Sequence, residues 1–312
     1  MSGDTMRAAR FHEYGAPDVL VVDQVPRPEP QEGTVLVRVH AAGVNPIEWK
    51  LRAGYLKEYM PVELPHTPGY DLAGTVEAIG PGVTGFAPGQ AVFGRGMGTY
   101  ADYAVAPTTS LAPKPDNITF DQAATIAIGS ITAWTGLFDA ADLQAGQRLL
   151  VQGAAGGTGS YAVQLGRWKG AHVTGTASSR NLEFVRSLGA EEVIDYTTTS
   201  VEEAVSGVDV VFDTVGGEVM DRSWQLLKPS GILVEVAGMP NEDTARQHGV
   251  RTSGVQAPPD VSDILRQIAD LIRSGAVMAE VGAVFPLDEA AQAQALSQTG
   301  HGRGRIVLHI AD

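Results

Sequence analysis

Short apolar runs alternate with helix-compatible stretches through the middle of the chain. The runs are rich in Val, Ile and Leu, and they lie at residues 148–152, 172–176, 193–195, 208–213 and 232–236. Strands that alternate with helices in this way form parallel sheets covered by helices. The pattern therefore predicts a doubly wound α/β fold, with a ligand at the carboxyl ends of the strands.

The first hundred residues show a different pattern. Short β-rich runs, separated by Pro and Gly, predict an irregular, mostly antiparallel barrel and lie at 34–40, 72–79 and 90–93. After Pro115 the pattern changes, because residues 120–140 can form a helix that precedes the alternating region. Towards the end of the chain, residues 261–274 predict an amphipathic helix and residues 305–310 a final strand.

One glycine-rich segment links the first run of the alternating region to a helix-compatible stretch. Residues 151–167 read VQGAAGGTGSYAVQLGR. Glycines permit a tight turn and let backbone N–H groups approach a phosphate at a helix N-terminus. The spacing G-x-x-G-x-x-G departs from the commoner dinucleotide fingerprint, and a loop of purely structural origin is the alternative interpretation. The phosphate-binding residues expected here are Gly153, Ala154, Ala155, Gly156, Gly157, Thr158 and Gly159.

The composition excludes several kinds of protein. The chain of 312 residues carries a formal net charge of -14 and contains no cysteine. Strong negative charge argues against nucleic acid and anionic membranes as partners. Without cysteine, neither disulfides nor thiolate metal sites can form. No stretch suggests a membrane span or a secretory signal, so we expect a soluble cytoplasmic protein.

Further motifs lie in order on both sides of the glycine-rich segment. They are VNP at 44–46, RAG at 52–54, PGYDLAG at 68–74, DTVGG at 213–217 and GRIVL at 304–308. Together they resemble the quinone oxidoreductase and zeta-crystallin group of zinc-independent medium-chain dehydrogenases/reductases. The resemblance implies a mostly β, GroES-like barrel as catalytic domain, a doubly wound Rossmann domain inserted into it, and NADPH as cofactor. We accordingly place the catalytic domain at 1–120 and 259–312 and the NADP-binding Rossmann domain at 121–258.

The end of the second predicted strand of the Rossmann domain favours NADPH over NADH. An NAD-specific site usually carries Asp or Glu about twenty residues beyond the glycines, where it accepts from the ribose 2′-hydroxyl. No acidic residue lies between Asp142 and Glu183. Instead Ser178, Ser179 and Arg180 follow the strand and can hold a 2′-phosphate by charge-assisted hydrogen bonds. In the alternative interpretation Arg180 is a solvated residue beside the next helix, and the cofactor preference stays open.

Other residues are expected at the cofactor by resemblance or by position. Tyr196 resembles a family position that contacts the 2′-phosphate, although an ordinary half-buried tyrosine is the alternative. Thr132 resembles a residue that faces the nicotinamide, and a helix-interior threonine is its alternative. Val215, Val236 and Gly238 complete the expected cofactor-binding set, because they lie at or just beyond the ends of two further strands.

Hydride transfer without a metal is the chemistry that the remaining residues favour. The metal-dependent relatives use Cys and a Gly-His-Glu segment as zinc ligands, whereas the corresponding segment here resembles Gly-Tyr-Asp at 69–71. The cofactor then supplies the chemistry and the protein orients it. Asn45 resembles the family's active-site asparagine and is expected to bond the nicotinamide ribose or the substrate, although it can merely fix a turn before Pro46. Tyr55 is the second catalytic candidate, as a proton donor or a stacking surface, and a packing role competes.

Two departures from the family pattern leave the substrate open. Glu48 stands where many relatives have Asp, and Lys50 where quinone reductases often have an aromatic residue. We expect an NADPH-dependent reductase of quinones or α,β-unsaturated carbonyls. The alternatives are an enoyl-thioester reductase and a nucleotide-binding protein with little turnover, crystallin-like or a sensor. We also expect a homodimer paired through an edge strand at 250–256, because an exposed sheet edge is a template that needs covering. The alternative is a monomer whose edge is blunted by the nearby charges of Arg246, Arg251 and Asp260.

Overall fold

The structure is a computed structural model that describes residues 4–312. Residues 1–3 of the predicted catalytic segment lie outside the described residues. The chain forms two compact units. The first contains the chain up to Ile128 together with Pro259–Arg273 and Ala279–Asp312, and the second contains Gly129–Pro258 with Ser274–Met278. The predicted domain limits, 1–120 with 259–312 and 121–258, stay predictions.

Short strands and helices follow one another along the described chain. The strands are β1 (Thr5–Phe11), β2 (Leu20–Pro26), β3 (Thr34–Val44), β4 (Asp71–Ile79), β5 (Ala91–Arg95), β6 (Tyr103–Pro107), β7 (Leu111–Pro113), β8 (Arg148–Gln152), β9 (His172–Ala177), β10 (Glu192–Asp195), β11 (Val208–Asp213), β12 (Leu227–Glu235), β13 (Arg251–Gly254), β14 (Val281–Pro286) and β15 (Arg305–His309). The helices are α1 (Pro46–Arg52), α2 (Phe120–Ala123), α3 (Ala127–Trp134), α4 (Gly159–Lys169), α5 (Leu182–Ser187), α6 (Val201–Ala204), α7 (Glu218–Ser223), α8 (Glu242–His248), α9 (Ser262–Arg273) and α10 (Ala290–Gln298). Single 3-10 turns lie at Pro17–Val19, Thr108–Ser110, Ser179–Asn181, Trp224–Leu226 and Leu287–Glu289. Across residues 4–312, no helix has the length and apolar character needed to cross a bilayer.

The second unit is built around a parallel sheet with the strand order β10-β9-β8-β11-β12-β13. Counted from β8, this is the order 3-2-1-4-5-6 of dinucleotide-binding domains, and the order reverses between β8 and β11. These two strands have the bounds predicted from the sequence, and Leu150, Val151 and Phe212 are fully buried, as expected for strands covered on both faces. β13 forms one edge of the sheet, as the pattern at 250–256 predicted.

The first unit is built around a mostly antiparallel sheet in the order β14-β15-β3-β4-β5-β7, with β6 also paired to β3. β3 is 11 residues long, so its first residues pair with β6 and its last residues with β15. A strand from the C-terminal part of the chain thereby completes a sheet that begins in the N-terminal part. The predicted fold class, a Rossmann domain inserted into a mostly β domain, is confirmed.

The helix predicted at 120–140 is interrupted in the structure. α2 begins after Thr119, whose hydroxyl accepts from the Gln122 N–H at 3.1 Å. α3 begins four residues after α2 ends, and the Ile128 N–H in its first turn donates to Asp71 Oδ1 at 2.7 Å. The segment that follows α3, Thr135–Ala140, is a π-helix. The prediction of one continuous helix was therefore wrong. The hydrogen bond from the Ile128 N–H to Asp71, at the start of β4, anchors the beginning of α3.

Candidate active site

The glycine loop, residues 153–159, joins the end of β8 to the start of α4. Gly153 has a φ of +74°, a left-handed conformation that glycine adopts without strain. A Cβ at this position would lie 2.5 Å from Thr214 Oγ1. The loop therefore packs against the segment that follows β11, at the point where the strand order reverses.

Two other glycines of the loop meet different surroundings. A Cβ at Gly159 would lie 2.2 Å from the Gly153 carbonyl oxygen, whereas a Cβ at Gly156 would meet that oxygen at 3.4 Å and nothing closer. Gly159 is thus required by the loop itself, while the protein leaves room beside Gly156. This room lies beside the N-terminus of α4, and the positive end of a helix suits a phosphate.

Hydrogen bonds fasten the loop to the end of β9. Thr176 Oγ1 donates to Gln152 Oε1 at 2.8 Å and accepts from the Gly153 N–H at 3.1 Å. The Ala154 N–H donates to the Thr176 carbonyl at 3.0 Å. The loop is thus held by the protein itself, which reduces the conformational entropy that binding would cost. Gln152 and Thr176 were not predicted as site residues from the sequence. Each is a polar residue at the end of an apolar run, and that position could have marked them as candidates.

The residues predicted to hold a 2′-phosphate come together at one edge of the second unit. Residues 178–180 follow β9, with Ser179 and Arg180 exposed. Tyr196 follows β10 and is 50% exposed. Because β9 and β10 are neighbours whose last residues pair in register, the structure places these side chains at adjacent strand ends.

Val215, Val236 and Gly238 follow the neighbouring strand ends of β11 and β12. Val215 is half exposed, and its N–H donates to Asp213 Oδ1 at 2.8 Å. Asp213 and Glu235 pair in register at these ends, and burial raises the pKa of both carboxyls. The buried Asp213 therefore fixes the loop that presents Val215.

In the first unit, Asn45 precedes α1 and is fully buried. Its Nδ2 donates to Glu48 Oε1 at 3.1 Å and to Asp71 Oδ2 at 3.0 Å. Its Oδ1 accepts from Arg305 Nη1, and its backbone N–H donates to Glu48 Oε2 at 2.5 Å. Both amide hydrogens are thus committed within the protein, and a ligand would have only the second lone pair of Oδ1 to address.

Glu48 and Asp71 form a buried carboxyl pair that the Asn45 amide bridges. Glu48 also accepts from the Tyr100 hydroxyl at 2.8 Å and from the Tyr70 N–H at 3.3 Å. Burial raises the pKa of Glu48 to about 7 and also raises the pKa of Asp71. Glu48 therefore keeps its proton to a higher pH than an exposed glutamate does.

Arg305 supplies a positive charge to this cluster and was not singled out from the sequence as a site residue. It begins β15 and is almost fully buried. Its Nε and Nη2 are buried with no hydrogen-bond partner among the described residues, although buried donors are usually satisfied. The only sequence signal was its place in the motif at 304–308. These two donors are unused hydrogen-bonding groups of the cluster, beside the second lone pair of Asn45 Oδ1.

Known proteins share this architecture. The family described as alcohol dehydrogenase GroES-like domain matches residues 31–116, and the family described as zinc-binding dehydrogenase matches residues 188–308. The chain is 34% identical to the quinone oxidoreductase of Mus musculus, over 97% of each chain. The chain belongs to the quinone oxidoreductase family. The resemblance carried by the ordered motifs is thereby confirmed.

The chain is also similar to two further known proteins. The chain is 34% identical to the chloroplastic NADPH-dependent alkenal/one oxidoreductase of Arabidopsis thaliana, over 97% of this chain and 79% of that protein. Among solved structures, the quinone oxidoreductase from Coxiella burnetii matches with a TM-score of 0.90 and 32% identity, covering 98% of this chain and 99% of that chain. The protein is therefore an oxidoreductase of this family.

Within the family pattern, the segment that resembles the zinc-binding Gly-His-Glu segment carries Tyr70 and Asp71 here. The Asp71 carboxylate is committed to Asn45 and to the start of α3. Among the side chains of residues 4–312, no group of three or more His, Asp or Glu is arranged to hold a metal ion.

Tyr55 and Thr132 lie in different units. Tyr55 follows α1, is 67% exposed and stands edge-on to Trp49, with ring centroids 5.9 Å apart. Thr132 is partly exposed on α3. The exposed ring of Tyr55 is available as a stacking surface, and the roles assigned to both residues stay predictions.

Proposed function

We propose that this protein is an NADPH-dependent reductase that transfers hydride to a quinone or an α,β-unsaturated carbonyl without a metal ion. The observation that carries the proposal is the glycine loop, fastened by Thr176 and open beside Gly156 at the strand-order reversal. The names of the mouse and Arabidopsis relatives indicate acceptors of the same class. An oxidoreductase built on this loop uses a nicotinamide cofactor.

The residues around the loop match the parts of such a cofactor. The open space beside Gly156 and the start of α4 suit the pyrophosphate. Residues 178–180, with Tyr196, suit the 2′-phosphate through hydroxyls and a guanidinium. Val215, Val236 and Gly238, at the ends of the next strands, are left to contact the ribose and nicotinamide, with Thr132 as the further nicotinamide contact. The bound reduced cofactor would supply the hydride.

The protein itself would orient the reactants and stabilise charge. Hydride addition leaves negative charge on the acceptor oxygen, which needs a donor or water. We assign to Tyr55 the role of proton donor or of stacking surface for a flat acceptor, because its ring is exposed. We assign to Asn45 the orientation of the nicotinamide ribose through the second lone pair of Oδ1, with Glu48 and Asp71 fixing the amide.

A screen of NADPH oxidation tests the function. Purified protein is mixed with NADPH and, separately, with quinones, enones and enoyl-CoA esters, and the loss of reduced-nicotinamide absorbance is followed. Turnover with quinones or enones is expected. Turnover with enoyl-CoA esters alone would replace the proposal by a thioester reductase, and tight NADPH binding without turnover would replace it by a nucleotide-binding protein.

We also infer a cytoplasmic homodimer paired through β13. β13 forms an edge of the parallel sheet, and an unpaired edge is a template for another strand. Light scattering over a dilution series is expected to give a particle of two-chain mass. Val255→Pro, which removes an N–H just beyond β13, is expected to shift that mass towards one chain. A one-chain mass at micromolar concentration would contradict the assembly, and a Val255→Pro variant that stays dimeric would move the interface elsewhere.

A further inference from the structure

An acidic residue lies among the side chains proposed for the 2′-phosphate. Asp195 ends β10, the neighbour of β9. Its Oδ2 accepts from the Ser179 hydroxyl at 2.5 Å, and its Oδ1 accepts from the Thr197 hydroxyl at 2.6 Å and from the Thr197 N–H at 3.0 Å. The sequence has no acidic residue between Asp142 and Glu183, which suggested a 2′-phosphate site without an acid. Asp195 lies beyond that interval, at the end of the next strand, and was therefore not considered.

The Asp195 carboxylate is charged at neutral pH. It accepts the hydrogen bond of the Ser179 hydroxyl, which a bound phosphate would otherwise accept. The hydroxyls of Ser179 and Thr197 lower the pKa of Asp195. A serine hydroxyl has one hydrogen to donate, so Ser179 cannot donate to Asp195 and to a phosphate at once. A 2′-phosphate here also meets a like charge, whereas a ribose 2′-hydroxyl meets an acceptor of the kind that NAD-specific sites use.

We propose that Asp195 is a specificity-determining residue that weakens binding of the 2′-phosphate and accepts from the 2′-hydroxyl of NADH. Arg180 favours NADPH and Asp195 opposes it, so the enzyme uses both cofactors with a modest preference for NADPH. This inference rests on the proposed function, because it takes the adenosine ribose to bind at the ends of β9 and β10.

Measured affinities for the two cofactors test the inference. Dissociation constants for NADPH and NADH are obtained by fluorescence titration of the parent protein and of Asp195→Asn. Loss of the repulsion is expected to tighten NADPH binding about three- to tenfold, a moderate effect because solvent and salt screen a surface charge. NADH binding is expected to weaken or stay unchanged. The change in NADPH affinity is expected to shrink as salt is added.

A matched control separates a local effect from a change in overall charge. Glu192→Gln removes one negative charge from the opposite end of the same strand and is expected to leave the ratio of the two affinities unchanged. An unchanged ratio in Asp195→Asn, or an equal change in Glu192→Gln, would overturn the inference. Melting temperatures of both variants verify that each is folded.

A double-mutant cycle tests the competition for the serine hydroxyl. In the parent protein Ser179→Ala is expected to weaken NADPH binding only in part, because the Ser179 hydroxyl is shared with Asp195. In an Asp195→Ala background, which leaves Ser179 no acceptor at position 195, the same change is expected to weaken NADPH binding more strongly, since the hydroxyl is then available to the phosphate. Equal effects in the two backgrounds would contradict the competition.

Failure of this inference can be told apart from failure of the proposed function. A parent protein that oxidises NADPH with a quinone or enone while Asp195→Asn leaves the affinity ratio unchanged keeps the function and loses the inference. A parent protein that binds neither cofactor loses both.

Discussion

The two candidate regions, the buried cluster around Asn45 and the glycine loop with residues 178–180, differ in how many of their polar groups already have partners within the protein. In the first unit Asn45, Glu48 and Asp71 are buried and spend their hydrogen bonds on one another. In the second unit the glycine loop leaves room beside Gly156, and Ser179 and Arg180 are exposed. Changes in the first region should therefore act on stability and protonation, whereas changes in the second should act mainly on ligand affinity.

The largest expected effect comes from the glycine loop. Gly156→Val should abolish NADPH binding, a loss of about a hundredfold or more, because the new side chain fills the space proposed for the pyrophosphate. The fold should persist, since a Cβ there meets only one ordinary contact. Fluorescence titration and a thermal melt measure the two quantities.

Gly159→Ala is the matched control in the same loop. Its Cβ would collide with the Gly153 carbonyl oxygen, so it should lower the free energy of unfolding by about 1 to 3 kcal/mol, as overpacking does. A folded Gly156→Val protein that still binds NADPH would break the comparison, because the loop would then not be the phosphate site.

The next largest effect concerns the first region, and it is the pH dependence of stability that Glu48 causes. Glu48 has a pKa raised from 4.5 to about 7, so its contribution to stability is present below pH 4.5 and is lost as pH rises through about 7. The loss amounts to about 3 kcal/mol for this group. Glu48→Gln should remove that part of the decline, measured as the free energy of unfolding in denaturant at several pH values.

Glu58→Gln provides the control, since it removes the same charge from an exposed glutamate ten residues along the chain. It should leave the pH dependence of the parent protein intact. Identical pH profiles for the parent and for Glu48→Gln would mean that Glu48 does not titrate near neutral pH, and the first region would then be an ordinary ionised cluster.

The sequence specified the second unit more fully than the first. Apolar runs fix β8 and β11 because both strands are buried along their length, and the glycine spacing marks the loop between β8 and α4. The contacts of Asn45 could not be predicted from the sequence. They join Asn45 to Asp71 on β4 and to Arg305 on β15, and no local pattern encodes such pairings. The same reason applies to the break after α2, because Asp71 anchors the start of α3 from a distant part of the chain.

Asp195 illustrates a different limit of sequence reasoning. The absence of an acid after the glycines was a correct observation about one stretch of chain. In a parallel sheet, however, the neighbouring strand end contributes to the same site, and its register is set only by the folded sheet. Site residues that follow one strand can therefore be predicted, whereas those that depend on two strands require the structure.

Arg180→Ala tests whether the exposed edge of the second unit acts on ligand alone. Loss of a charge-assisted contact to the 2′-phosphate should weaken NADPH binding by about 1.5 to 3 kcal/mol, while NADH binding and the melting temperature stay close to those of the parent. Arg186→Ala, which removes an exposed arginine paired with Glu183 on the next helix, is the control and should leave both affinities unchanged. A parent protein with equal affinity for the two cofactors would contradict the assignment of Arg180.

The smallest expected effect is that of metal removal, which should touch neither region. The chain has no cysteine, and Asp71, the acidic residue of the segment that resembles the zinc-binding Gly-His-Glu segment, is committed to Asn45 and to α3. Exhaustive dialysis against a chelator should leave the rate of NADPH oxidation within error of the untreated protein, and elemental analysis should find no stoichiometric zinc. A rate that falls on chelation and returns with zinc would show that activity depends on a bound cation, and it would contradict the proposal of a metal-independent reductase.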